Sequence, residues 1–138
     1  MTAQWTAAKG PMRLSAPATA GWCQGSKTIL LQGIEADRVV GVVWHYDSLA
    51  PGSALLAPPQ PAESTAVPAS AALRYLGDGL IMGYRSVSGL LTVTAVDTAR
   101  IDVRLEATLQ RAGGPDTTRL SATFRRVPLT RDATLCGR

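Results

Sequence analysis

Ala99–Arg111 reads ARIDVRLEATLQR, and it decides the fold class. Ile101, Val103, Leu105, Ala107 and Leu109 alternate with Asp102, Arg104, Glu106, Thr108 and Gln110. A period of two held over eleven residues describes a long antiparallel strand with one dry and one wet face. Ala112-Gly113-Gly114-Pro115-Asp116 follows with the composition of a hairpin loop. Thr118–Val127 then returns, with Leu120, Ala122 and Phe124 inward and Arg119, Ser121, Thr123 and Arg125 outward. Upstream, Val96-Asp97-Thr98 makes a tighter turn after the alternating run Gly89–Val96.

The same pattern extends towards the N-terminus. Ala71–Leu76 and Leu80–Arg85 flank a Gly77-Asp78-Gly79 turn, and Lys27–Gly33 precedes a polar turn at Glu35–Arg38. Arg38–Asp47 (RVVGVVWHYD) puts Val40, Val42, Trp44 and Tyr46 on one face and Val39, Gly41, Val43, His45 and Asp47 on the other. Two largely apolar faces predict a central strand covered on both sides. The expected fold is all-β: an antiparallel β-sandwich or flattened barrel of about eight strands. Residues 21–138 form the domain, and residues 1–20 are expected to be an N-terminal arm with at most a short edge strand. Ser48–Ser70, with Pro51, Pro58, Pro59, Pro61 and Pro68, is expected to run over the surface as an extended loop.

At 138 residues the chain has the length of one domain, and 46% apolar against 17% charged residues is an ordinary globular balance. The net charge of +4 comes from twelve Arg but only two Lys, spread rather than massed. Attraction to acidic partners follows from such a charge. Nucleic acid is a minor reading because no basic run is present. No apolar stretch is long enough for a membrane-spanning helix.

Cys23 and Cys136 bracket the strands, and two cysteines so placed in a small β domain suggest a staple. A disulfide of that span would contribute about 4.7 kcal/mol in the chain-entropy model, and it persists only in an oxidising compartment. The alternative is two unrelated buried thiols. Periplasmic or extracellular location is therefore expected, with cytoplasmic as the alternative. Met1 is not followed by a basic start and an apolar block. Export thus implies a leader trimmed before this numbering, or a natural start other than Met1.

Trp22-Cys23 near the beginning, with Phe124, Val127-Pro128 and Cys136 at the end, resembles exported bacterial β-sandwich domains of unknown function. That resemblance covers the two ends of the chain and implies no activity.

Chemistry-bearing residues are sparse. His45 is the sole histidine, two residues from Asp47. On a strand the two would share a face about 6.6 Å apart. With Ser48 or Ser53 they could form a hydrolase-like trio, yet no nucleophile-elbow motif accompanies them. No metal or cofactor motif is present, so none is expected. The candidate partner surface is a basic wet face of Arg119, Arg125, Arg126 and Arg131 beside Arg104, together with Trp5 as an aromatic anchor on the arm. The expected function is a non-catalytic interaction module outside the cytoplasm. It would serve as an accessory or assembly subunit of a larger, membrane-associated complex and contact a protein partner. The alternative is a ligand-binding domain or hydrolase with a pocket near Trp44, His45, Tyr46 and Asp47.

Overall fold

A computed structural model describes residues 1–59 and 68–132. Cys136 and the middle of the proline loop, 60–67, lie outside the described residues. Ten strands follow in order: β1 (Thr2–Ala7), β2 (Gly10–Ser15), β3 (Ala18–Cys23), β4 (Thr28–Glu35) and β5 (Arg38–His45) come first. β6 (Gly52–Leu55), β7 (Ala69–Gly77), β8 (Leu80–Val96), β9 (Arg100–Arg111) and β10 (Thr117–Arg131) complete the set among the described residues. Among the described residues there is no helix.

The all-β expectation holds, with ten strands rather than about eight, and the sheet closes on itself. β3, β4, β5, β7, β8, β9 and β10 form a seven-stranded barrel. Three further strands extend it: β2 and β1 flank β10, and β6 flanks β8. Every barrel pairing is antiparallel except that of β10 with β3, where Leu129–Arg131 runs parallel to Ala20–Trp22.

Length makes this geometry available. β8 spans 17 residues, and its first part pairs with β7 while a later part pairs with β6. Bulges at Ser86/Ser88 and Val93/Ala95 break its register with β9, and another lies between Phe124 and Val127 of β10. Such bulges bend a strand and raise its twist. Gly89 occupies a φ of +136°, and a Cβ there would lie 2.7 Å from the Ala107 Cα and against the Glu106 carbonyl. Only glycine fits that turn of the strand.

The barrel interior is packed shut. Phe124, Leu14, Ile29, Leu31, Leu73, Leu91, Leu105, Leu109 and Leu120 are all essentially inaccessible. The alternation of β9 and β10 is as the sequence predicts: Ile101, Val103, Leu105, Ala107 and Leu109 face in. On β5, Val40, Val42 and Trp44 are buried, but Val39, Gly41, Val43 and His45 are only half-buried. The strand expected to be covered on both faces is covered on one.

The arm is also corrected. Residues 2–23 form β1, β2 and β3, and Trp5 is 3% exposed. Its ring centroid lies 5.7 Å from that of Tyr75, which in turn stacks on Tyr84 at 6.1 Å. Trp5 thus belongs to the core and is no surface anchor. Its short alternation, Ala3 and Trp5 inward, suffices because β10 supplies an edge to which β1 can hydrogen-bond. The Lys9–Asp78 ion pair joins the β1–β2 and β7–β8 turns. Within the proline loop, Gly52–Leu55 adds to β8 as an edge strand preceded by Pro51, a position where the missing N–H costs the ladder nothing.

Candidate functional site

His45 does not assemble a catalytic trio. Its Nδ1 lies 3.1 Å from Thr28 Oγ1, and its backbone N–H donates to the Pro68 carbonyl. Burial holds the imidazole below its usual range, so the ring is neutral at pH 7. Asp47 offers its main-chain carbonyl to the Lys27 ammonium at 3.2 Å. Ser53 is on β6 opposite Thr92. Trp44 is buried and its ring packs against Tyr46, whose Oη accepts the Trp22 Nε1–H at 2.9 Å. These aromatic groups are engaged in packing.

The arginines divide. Register sets Arg119, Ser121 and Thr123 of β10 opposite Thr108, Glu106 and Arg104 of β9. Arg125 follows on the same side, and Arg126 occupies the bulge at a φ of +48°, its N–H donating to the Asp102 carboxylate. Arg104, Arg125 and Arg126 border one concavity with Thr94 and Thr123. Arg131 is elsewhere: it pairs with Trp22 of β3 and donates to Gln24 Oε1 at 3.3 Å.

That arginine face is wider than the β9–β10 hairpin. Successive registers place Ser53, Thr92, Arg104, Thr123, Thr2 and Ser15 in one row across β6, β8, β9, β10, β1 and β2. The next row carries Glu106, Ser121, Gln4 and Arg13 over the last four of those strands. All of these but Ser53, together with Leu90, line an open trough of about 620 Å³. Glu106 accepts the Ser121 hydroxyl at 2.6 Å. Sequence reasoning missed Gln4, Arg13, Thr2 and Ser15, because only the β1–β10 pairing brings them here.

The opposite outer face, on β4, β5, β7 and the first part of β8, has a different chemistry. Leu30, Val43 and Ser70 form one row, Gln32, Gly41, Ala72 and Arg85 the next, and Ile34, Val39 and Arg74 the third. Leu76 and Ile81 pair beyond them, 52% and 72% exposed, and Ile34 is 57% exposed. A shallow hollow of about 410 Å³ lies over this face, with Pro59 at its rim.

The chain matches no protein-family model, no curated protein and no solved structure. Among the described residues, no helix is long and apolar enough to cross a membrane.

Proposed function

We propose that the protein is a non-catalytic interaction module that docks on a protein partner through the apolar face of β4, β5, β7 and the first part of β8. The observation that carries this is a half-exposed patch of Leu30, Ile34, Val39, Val43, Leu76 and Ile81 on a barrel whose interior is already full. Contiguous apolar surface rimmed by polar groups marks an interaction site. Arg74 and Arg85 stand within the patch, so the partner brings apolar side chains together with a carboxylate. Its role is that of an accessory or assembly subunit of a larger complex outside the cytoplasm.

The compartment rests on the cysteines. Cys23 is buried at the end of β3, and the Asp132 N–H donates to the Trp22 carbonyl at 2.9 Å. The chain therefore reaches residue 132 beside Cys23. Four further residues span up to about 14 Å, a reach that permits the Cys23–Cys136 bond proposed here. Intact mass measured with and without reductant should differ by two hydrogens, and two free thiols in native protein would refute the bond.

For the partner, wild type and the Leu76→Glu/Ile81→Glu variant are compared as baits in envelope extracts of the native host. A protein retained by wild type and by Arg104→Gln, but lost with the double variant, is expected. Equal recovery by all three baits would refute docking through this face.

A further inference from the structure

We infer that the trough on the other side of the barrel binds an acidic polysaccharide, a uronate-bearing or sulfated glycan chain lying across the strands. This goes beyond the docking face above and uses none of its residues. Three observations combine. The first is the hydroxyl row: five of the six residues from Ser53 to Ser15 are Ser or Thr, with Arg104 in the middle. Neighbouring strands lie about 4.8 Å apart, so the row offers a regular ladder of donors and acceptors roughly 24 Å long. That repeat is comparable to the step of one sugar ring along an extended glycan.

The second is charge left unmatched. Among the described residues the ion pairs are Lys9–Asp78 and Arg111–Asp116, so Arg13, Arg104 and Arg125 have no carboxylate within ion-pairing distance. The carboxylates nearby are already supplied with donors: Glu106 by Ser121, Asp102 by the Arg126 N–H and Glu35 by the Ser15 N–H. Arginine presents a planar fork matched to carboxylate and sulfate oxygens. A ligand carrying such groups at intervals would meet Arg104 on β9 and then, towards β1 and β2, Arg125 at the trough's border and Arg13 within it.

The third separates a glycan from a nucleic acid. Single strands are held largely by bases stacked on aromatic rings. All three Trp and the Phe are buried, and neither row across the trough carries an aromatic residue. Glu106 and Asp102 interrupt the positive surface, which opposes a continuous phosphate backbone but suits alternating acidic and hydroxyl groups.

Titration calorimetry at low salt with oligogalacturonate and with a sulfated glycosaminoglycan fragment tests this and identifies which anion is preferred. At least one should bind, whereas neutral dextran should not. Arg104→Gln should weaken binding at least tenfold, and Thr123→Val severalfold without any change in net charge. Arg74→Gln, on the opposite face, removes the same charge and should change affinity less than twofold. Thermal melts of each variant show that the fold is intact. The inference is overturned if neither glycan binds, if Arg74→Gln weakens binding as much as Arg104→Gln, or if single-stranded DNA of equal charge binds as tightly.

Discussion

The two outer faces of this barrel differ in what builds them. The apolar face lies on β4, β5, β7 and the first part of β8, which all belong to the closed barrel. The polar trough lies on three long barrel strands extended by β6, β1 and β2. Both faces back onto the one apolar interior, so the core does not dictate the difference. The outward positions are chemically free, and one face keeps Leu, Ile and Val in many of them while the other takes mostly Thr, Ser and Arg, with Leu55 and Leu90 as its exposed apolar pair. What sets the first face apart is that its exposed and half-buried apolar residues spread over four neighbouring strands.

The comparison can be broken most severely through the trough's added strands. Trp5→Ala should cost about 3–5 kcal/mol in denaturant unfolding, because a large buried side chain is lost where β1 joins the core. Trp5→Phe should cost much less. The Trp5 Nε1 is buried without a hydrogen-bond partner, and an unsatisfied donor already carries a penalty of about 1–3 kcal/mol that phenylalanine removes. Equal losses for the two would mean that ring packing on Tyr75 is unimportant. Next comes Gly89→Ala, which forces a Cβ into the backbone of β9 at a left-handed φ. Strain of that kind costs on the order of 1–3 kcal/mol, and a melting curve unchanged from wild type would show that β8 does not need its bend there.

Smaller effects sharpen the contrast. Leu76→Ser with Ile81→Ser on the apolar face should leave the isolated protein within about 0.5 kcal/mol per site, as exposed positions do. A large loss would place these residues in the protein's own packing and remove the case for a partner there. The smallest effect belongs to His45, at the edge of that face. Its folded pKa is depressed by burial, so the unfolded chain takes up a proton more readily. The group's contribution is complete above the usual histidine range and is lost as pH falls from about 6.5 through the lower folded value. His45→Gln should flatten that slight acid-side decline in melting temperature, and a rise in stability on acidification of wild type would contradict it.

The sequence made some of this legible for physical reasons. β9 and β10 were evident because their wet and dry faces alternate cleanly, and Arg104, Arg119 and Arg125 could be put on one side from a single hairpin. Trp5 was misread because a strand of Thr, Ala and Gln has little periodicity of its own and is recruited by the edge of β10. β6 was hidden for a related reason: four residues among prolines become a strand only when β8 extends past β7 to meet them. The trough itself runs perpendicular to the chain. Its rows depend on five separate registers, and no local pattern encodes how Thr2 lines up with Thr123. Apolar character on both sides of β5 was visible, but the same residues suit a second protein layer within the chain or a partner outside it.

The first and last strands meet: β10 hydrogen-bonds both β1 and β3, besides β9. A chain made or threaded from its N-terminus can pair β3, β4 and β5 early, but the ring stays open until residues 117–131 arrive. Until then β1 has β2 alone beside it, β3 presents a bare edge, and Trp5 has no completed core to enter. Closure of the ring waits on β10, and no local hairpin can supply it. A ribosome stalled before residue 117, or a truncation there, would leave a sticky open sheet in place of a barrel.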